Sequence, residues 1–233
     1  QVRPLLLFQS SNGDELTTLA EYVERMKEGQ EHIYYLTGAS REAVENSPHL
    51  EAFRAQEYEV LYLTDTIDEI MVGHLTEFDG KQLQSAGKGT VEFGTEDERK
   101  DAEDARKAQE ENHASLLELL QETLIDHVKE VRLSNRLTSS AACLVGDTFD
   151  MSPGLERLLR QSGQEAPDQK RILELNPDHK ILTQMKTMYE TNSADPQIVD
   201  YAHLLYGQAV IAEGSQLPDP AGFARRVADL MAQ

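Results

Sequence analysis

The sequence predicts an α/β (α+β) fold, in which a small α/β/α layered subdomain precedes a mixed α+β domain that ends in a helical hairpin. Three observations lead to this prediction. Short apolar strands alternate with capped amphipathic helices over 18–86, a charged stretch covers 87–113, and long apolar helical faces fill the last third of the chain. We therefore predict an α/β/α domain at 1–95, a charged linker and helix start at 96–113, and a second domain at 114–233.

The first domain is predicted from its helix starts and strands. The starts are polar capping residues, at Thr18 with Glu21, at Ser40, and at Thr66 with Glu69. Two strands rich in β-branched and aromatic residues are expected at 32–36 and 59–63. The third helix is expected to run to Phe78, with one face formed by Ile67, Ile70, Met71, His74 and Phe78. Because helices separate the strands, we predict a mostly parallel sheet.

The second domain is predicted to contain the apolar part of a long helix whose charged start is a solvent-exposed face. That apolar part has three- and four-residue steps, at Leu117, Leu120, Leu124, Val128 and Val131. Strands are expected in EVRLS, AACLV and RILEL, and a helix is expected after Asn176-Pro177. Two helices, 197–213 and 220–232, end the chain. Their apolar faces either complete the domain's own core or pair with a twin subunit in a four-helix bundle.

The composition excludes several classes of protein. With 42 acidic and 22 basic residues the net charge is −20, which disfavours binding to nucleic acid. No apolar run reaches the length of a transmembrane helix. The single cysteine, Cys143, excludes an intramolecular disulfide framework, fits a reducing cytoplasm and is expected to be a packing residue. The opening QVRPLLLFQSS has neither an initiator Met nor a cleavage signal, so we expect an arbitrary chain start rather than a signal peptide.

A search for catalytic and metal-binding motifs is mostly negative. The seven histidines fall into no metal-ligand spacing, the glycines of GKGTVEFG miss the dinucleotide-binding pattern, and no nucleophile elbow is present. We therefore predict no catalytic residue and no metal site. One enzyme hypothesis stays open, because the carboxyl end of a strand and the following helix start could form an anion site at Thr37, Gly38, Ser40 and Arg41.

The segment GDTFDMSPGLERLLRQSGQ predicts a short amphipathic helix. Ser152 can cap it and Pro153 suits its first position. One face carries the apolar side chains of Met151, Leu155, Leu158 and Leu159. Taken by itself, this pattern favours packing against the helix's own domain.

Several long segments resemble the heat-shock protein 90 (Hsp90) chaperone family. EYVERMKEGQEHIYYLTGASREAVENSPHLEAFRAQEYEVLYLTDTIDE and EFDGKQLQS resemble the late middle domain. SNRLTSSAACLVGDTFDMSPGLERLLRQ and LELNPDH resemble the carboxy-terminal domain. The bacterial branch is the most similar. The chain ends at ADLMAQ without the acidic tail by which cytosolic eukaryotic members dock helical-repeat cochaperones, and a mitochondrial relative also lacks that tail.

The resemblance implies a part of an ATP-dependent chaperone of the stress response. This part would join a middle subdomain to a dimerisation domain and would form a homodimer in the bacterial cytoplasm. Its partners would be unfolded or partly folded client proteins, with no nucleic acid or membrane. ATP and Mg²⁺ would bind in an amino-terminal domain that the matched segments do not include, so we expect no cofactor and no enzymatic activity in this chain.

The resemblance also implies two kinds of surface. Client-binding positions are expected at Ile70, Met71, His74, Met151, Leu155, Leu158 and Leu159. Some bacterial relatives have a tryptophan in place of Ile70. Dimer-interface positions are expected at Leu204, Leu205, Ala209, Phe223, Val227 and Leu230. The alternative is a passive dimerisation scaffold that binds no clients.

Overall fold

The computed structural model describes residues 5–165 and 169–232, and it confirms the mixed α/β fold class. The first four residues of the opening QVRPLLLFQSS therefore lie outside the described residues. The described chain divides into two compact units, namely residues up to Ala102 with Gly146–Gln169, and Glu103–Val145 with the residues from Lys170 onward. The sequence groups Gly146–Gln169 with the second domain, whereas the contacts of this segment lie in the first unit.

One six-stranded sheet forms the centre of the first unit. Its strands are β1 Phe8–Ser10, β2 Gly13–Thr17, β3 His32–Thr37, β4 Leu61–Leu63, β5 Glu77–Phe78 and β6 Lys81–Ser85. They lie in the order β2-β1-β4-β3-β6-β5. β3 runs parallel to β4 and β6, whereas the pairs β1–β2, β1–β4 and β5–β6 are antiparallel. The prediction of a mostly parallel sheet is therefore wrong outside the three central strands.

Tight turns explain the antiparallel edges of this sheet. Strands joined by a two-residue turn must run in opposite directions, and such turns join β1 to β2 and β5 to β6. The second turn is Asp79-Gly80, where both residues have positive φ angles of 48° and 72°. Asp-Gly is a strong sequence signal for such a turn. The predicted helix ran through Phe78 and so missed this hairpin.

Most helices of the first unit begin at polar caps. The helices are α1 Leu19–Glu24, α2 Arg41–Glu45, α3 Glu51–Ala55, α4 Thr66–Met71, the start of α5 Glu96–Thr123, and α6 Pro153–Gln161, with a 3-10 helix at Pro48–Leu50. α3 follows the 3-10 helix directly and has Leu50 as its cap. The capping box of α1 is confirmed, because the Glu21 N–H donates to Thr18 Oγ1 at 3.2 Å and the Thr18 N–H donates to Glu21 Oε2 at 2.8 Å. The predicted start of α4 is wrong by one residue, since its cap is Asp65 rather than Thr66.

The alternating side chains of β3 build an apolar layer on each face of the first sheet. Ile33 packs with Leu19 and Tyr22 of α1, whereas Tyr34 and Leu36 point into the opposite layer. That opposite layer also includes buried residues of α2, the 3-10 helix and α3, namely Val44, Leu50 and Phe53. Helices therefore cover both faces, as the α/β/α prediction requires.

The second unit contains a three-stranded sheet and three further helices. The strands are β7 Glu130–Leu133, β8 Ala142–Val145 and β9 Ile172–Leu175, and the helices are α7 Lys180–Thr191, α8 Pro196–Ala212 and α9 Pro220–Met231. β9 lies in the middle, parallel to β7 and antiparallel to β8. His179 caps α7 by accepting from the Ile181 N–H at 3.2 Å, so the helix starts later than Asn176-Pro177 suggests.

The main core of the second unit lies between this sheet and α5, α7 and α8. The predicted apolar face of α5 is confirmed by Leu120, which is fully buried, and Leu124 is fully buried directly after the helix ends. Val128 and Val131 continue the same core after the helix ends. Cys143 is 1% exposed and packs on the other face of the sheet with Val145 and Ile172, which confirms it as a packing residue.

Candidate functional site

Helix α4 is six residues long and leaves two isoleucines at the surface. The Asp68 carboxylate accepts from the Asp65 N–H at 3.0 Å and so stabilises the helix start. Ile67 is 64% exposed and Ile70 is 48% exposed, an unusual exposure for two large apolar side chains one turn apart. The chain then turns away, because the Leu75 N–H donates to the Met71 carbonyl and the Leu75 side chain enters the core.

The other predicted client positions near α4 have different environments. Met71 is half-buried and packs against the core of the first unit, so only part of its side chain is accessible. His74 is exposed in the turn after α4. The three positions therefore do not form one uniform face, and Ile67 replaces Met71 as the more exposed neighbour of Ile70.

Helix α6 forms as the sequence predicts. Ser152 is its cap and accepts from the Leu155 N–H at 3.1 Å, and Pro153 occupies the first position. The predicted apolar residues are all half-buried, namely Met151, Leu155, Leu158 and Leu159. Phe149 precedes the helix and is 99% exposed. The apolar face of α6 is therefore partly covered, and an aromatic ring lies open beside it.

Helix α6 packs on α4, which lies in the same unit. Ser152 Oγ donates to Glu69 Oε2 at 2.5 Å, across a sequence separation of 83 residues. Gly154 lies so close to the same Glu69 side chain that an added Cβ would overlap the carboxylate. The structure therefore brings the two predicted client-binding areas together, a neighbourhood that no spacing in the sequence indicates.

Backbone contacts hold the segment before α6 to the first unit. The Gly89 N–H donates to the Gly146 carbonyl at 2.9 Å, and the Gly146 N–H donates to the Gly87 carbonyl at 3.2 Å. Gly89 has a φ of +60°, and an added Cβ would meet Thr148 Oγ1 at 2.9 Å, so glycine suits both its conformation and its surroundings. The loop GKGTVEFG is thus a structural pairing partner of the segment at 146.

The six predicted dimer-interface residues divide into three groups. Leu205 and Ala209 lie inside the core of their own unit, at 5% and 1% exposure, which leaves them little surface for contact with a partner. Their positions on α8 face the sheet, which an apolar periodicity alone cannot distinguish from an outward face. Leu204, Phe223 and Val227 are half-buried, and Leu230 is 39% exposed.

The sequence prediction omits three exposed apolar residues near these positions. Ile211 on α8 is 51% exposed and lies seven residues after Leu204, on the same side of the helix. Met231 at the end of α9 is 82% exposed, beside Leu230. Val199, near the start of α8, is 40% exposed. The seven-residue step between Leu204 and Ile211 is the sequence pattern from which the exposure of Ile211 on this side of α8 could have been predicted.

Comparison with known proteins decides the family. A family model described as "Hsp90 protein" matches residues 1–233, the whole chain. The chain belongs to the Hsp90 family. The "Chaperone protein HtpG" of Nocardia farcinica is 53% identical over 229 residues, which cover 95% of this chain and 35% of that protein.

Two further relatives agree with this result. The "Chaperone protein HtpG" of Mycobacterium avium is 54% identical over 230 residues, covering 98% of the chain and 35% of the relative. That of Frankia casuarinae is 53% identical over 222 residues, covering 95% of the chain and 34% of the relative. The chain thus spans about a third of the length of these Hsp90 proteins.

The anion site considered for an enzyme is occupied by internal contacts in this Hsp90-family chain. Arg41 Nε donates to Glu45 Oε1 at 2.7 Å, and its Nη2 donates to the Gly13 carbonyl at 2.9 Å. Asp14 lies 3.2 Å from the same Nη2, and the guanidinium also lies over the Tyr62 ring. Two carboxylates therefore already balance the charge that an anion would need.

The second unit contains a cleft of about 290 Å³ whose lining includes His127, His203, Tyr206, Phe223 and Arg226. His127 stacks on Tyr206 with ring centroids 5.0 Å apart. Burial lowers the pKa of His203, and the positive charges of Arg226 and His127 lower that pKa further. The cleft is therefore lined mainly by aromatic rings, beside a neutral His203 imidazole that supplies a few hydrogen-bonding atoms. These lining residues do not form a cluster of catalytic groups.

Neither a metal centre nor a membrane span is found where the structure is described. Within residues 5–165 and 169–232, the His, Cys, Asp and Glu side chains form no group of three that could hold a metal ion. Among the helices of the same ranges, none has the length and apolar character needed to cross a bilayer.

Proposed function

We propose that this chain is the late middle and carboxy-terminal part of an HtpG-type chaperone, which forms a homodimer and binds non-native client proteins. Membership of the Hsp90 family supports a chaperone role. The observation that carries the client-binding part is the packing of α6 on α4 beside exposed apolar side chains. By this proposal the ATP and Mg²⁺ sites of the whole protein lie outside this chain, and the protein works in the bacterial cytoplasm.

The proposed client surface combines Ile67 and Ile70 of α4 with Phe149 and the half-covered leucines of α6. Contiguous exposed apolar side chains typically mark a binding surface. Leucine and methionine adapt their side chains to differently shaped partners, which suits a protein that must accept many unfolded sequences. The acidic surface of the chain, with a net charge of −20, keeps such an apolar patch soluble.

The client surface is tested by a matched pair of variants. Ile70 is 48% exposed in the first unit and Ile125 is 56% exposed in the second, so Ile70→Ser and Ile125→Ser remove equal and similarly accessible side chains. We expect Ile70→Ser to weaken binding of a denatured, fluorescently labelled protein about fivefold to tenfold, since one apolar side chain contributes roughly 1 to 1.4 kcal/mol. Equal binding by both variants would overturn the assignment of α4.

A second test addresses α6. The double variant Leu155→Ser, Leu158→Ser should keep the thermal transition and lose most suppression of client aggregation, measured by light scattering. Collapse of the thermal transition instead would show that these leucines are core residues. Unchanged suppression with an intact fold would favour the passive scaffold.

The proposed dimer contact uses the outward face of α8 and the end of α9. Leu204 and Ile211 share one side of α8, and Val227, Leu230 and Met231 share one side of α9 at helical spacing. Two such hairpins could bury their exposed apolar side chains against each other in a four-helix bundle. This version of the interface omits Leu205 and Ala209, which the core already covers.

Sedimentation or light scattering tests the dimer. Wild-type protein should be dimeric at tens of micromolar, and the double variant Ile211→Glu, Leu230→Glu should be monomeric with its fold intact. Ile67→Glu is the control, because it adds the same charge at an exposed position of the first unit. Monomeric wild-type protein would overturn dimerisation without affecting the test of client binding.

A further inference from the structure

One carboxylate holds the first turn of α6 against α4. Glu69 Oε2 accepts from Ser152 Oγ at 2.5 Å, while the same hydroxyl accepts from the Leu155 N–H at 3.1 Å as the helix cap. Ser152 is only 7% exposed, so water has little access to this contact. A single hydroxyl therefore both starts α6 and joins it to another helix. Hydrogen bonds to a charged acceptor are stronger than those between neutral groups.

Gly154 provides a second, independent contact with the same carboxylate. An added Cβ at this position would overlap Glu69 Oε1 and approach the carboxyl carbon to 3.1 Å. Glycine thus lets the carboxylate approach the first turn of α6, where the helix dipole favours a negative charge. Two features of the sequence, a serine cap and a glycine two residues later, are fitted to Glu69.

The apolar contact of α6 is incomplete by comparison. Leu155, Leu158 and Leu159 remain half-exposed, and the helix is followed by Gly163 with a φ of +74°. As a helix, α6 takes no part in the strand pairing of the two sheets. Movement of α6 away from α4 would therefore break no strand pairing and would change the exposure of leucines that are now half-buried. The polar contact at the helix start is therefore one of the contacts that hold α6 in place.

We propose that the Glu69–Ser152 contact is a latch that keeps the apolar face of α6 half-covered on α4, and that its opening presents this face to non-native proteins. The role in client binding rests on the proposed function, whereas the latch itself is a property of this fold. Glu69 is in this view a positioning residue, which binds α6 rather than the client.

Two nearly isosteric variants separate the latch from the helix cap. Asp and Asn are both good capping residues, so Ser152→Asp and Ser152→Asn each preserve the start of α6. Ser152→Asp places a second carboxylate against Glu69, whereas Ser152→Asn supplies an amide that can still donate to it. We expect amide hydrogen exchange in 153–161 to be at least about tenfold faster in Ser152→Asp than in Ser152→Asn.

A double variant provides the decisive control. In Glu69→Gln with Ser152→Asp, the introduced amide can donate to the introduced carboxylate, so slow exchange in α6 should return. Glu77→Gln with Ser152→Asp removes an exposed charge elsewhere in the unit and should not restore slow exchange. If Ser152→Asp does not fold, Glu69→Ala against Glu77→Ala in the wild-type background gives the same comparison.

The outcomes distinguish the latch from the proposed function. Faster exchange confined to α6, restored by Glu69→Gln, supports the latch, and stronger binding of a denatured labelled protein by Ser152→Asp supports its control of client binding. Equal exchange in the two Ser152 variants overturns the latch, even if wild-type protein binds clients. Faster exchange in α6 with unchanged client binding overturns the control of binding. Failure of wild-type protein to bind any denatured protein would instead overturn the proposed function.

Discussion

Arg136 donates from Nε to Glu174 Oε2 at 2.9 Å, and both side chains are almost completely removed from solvent, at 0% and 2% exposure. Arg132 donates from Nη2 to Glu174 Oε1 at 2.7 Å, and Ser134 Oγ donates to Glu174 Oε2 at 2.8 Å. Glu174 lies on the central strand β9, so this cluster joins β7 and the following loop to the middle of the second sheet. A buried carboxylate is tolerated here because two guanidinium groups and a hydroxyl satisfy it.

The first prediction concerns the loss of this buried charge. Glu174→Gln removes the carboxylate charge that pairs with the buried Arg136 guanidinium, so we expect the second unit to lose roughly 3 to 5 kcal/mol of stability. Amide exchange in β7, β8 and β9 measures this loss without assuming that the two units unfold together. Lys27→Ala at the exposed pair with Glu57 is the control and should change stability by less than about 1 kcal/mol.

The second prediction concerns pH. Burial alone would raise the pKa of Glu174, but the charges of Arg136 and Arg132 outweigh burial and hold this pKa below its usual value. A lowered pKa in the folded state stabilises the protein above the pKa of the unfolded chain, which is about 4.3 for glutamate. This stabilisation should be full at pH 7 and should decrease as the pH falls below about 5.

Chemical unfolding of wild-type protein and Glu174→Gln between pH 7 and pH 3 tests this pH dependence. The free-energy difference between the two proteins should narrow as the pH falls, because protonation removes the negative charge that the variant already lacks. A constant difference over this range would contradict the electrostatic origin of the stabilisation.

The sequence predicts the helices and strands of this fold better than it predicts which of them are in contact. The capping box of Thr18 and Glu21 and the apolar steps of α5 are local patterns, and the structure contains both. The short strands β1 and β2 and the Asp79-Gly80 hairpin carry few apolar residues, so they were missed. Leu204 and Leu205 are adjacent leucines of α8, and the packing of the helix shows that Leu205 is buried whereas Leu204 is half-exposed. The Glu69–Ser152 contact joins residues far apart in sequence, which no local pattern encodes.

The third prediction concerns Cys143. Its side chain is 1% exposed within an apolar cluster that includes Leu137 and Ile172. A thiol must reach solvent to react as a thiolate, and burial in apolar surroundings disfavours that form. We expect a water-soluble thiol reagent to modify the native protein at the rate at which the second unit opens, far more slowly than it modifies the urea-unfolded chain. Rapid, complete modification of native protein would contradict the packing role.

The last prediction concerns Gly207, which lets α9 pack closely on α8. An added Cβ at this position would overlap the Phe223 ring and would lie 3.3 Å from Leu217 Cδ2. Gly207→Ala favours helix by about 1 kcal/mol, but overpacking against a ring costs typically 1 to 3 kcal/mol, so the clash should prevail. We expect α9 to separate from α8, with faster amide exchange in Pro220–Met231, while exchange in β9 stays slow.

Phe223→Leu provides the matched control for this clash. Leucine is smaller than phenylalanine, so Gly207→Ala with Phe223→Leu should recover much of the slow exchange that Gly207→Ala loses. Additive effects of the two substitutions would contradict direct contact, because residues that do not touch contribute independently. Since Val227, Leu230 and Met231 lie on the same helix as Phe223, the single variant should also weaken the proposed dimer, and the double variant should restore it. Loosening of α9 without any change in sedimentation would separate the packing of this hairpin from dimerisation.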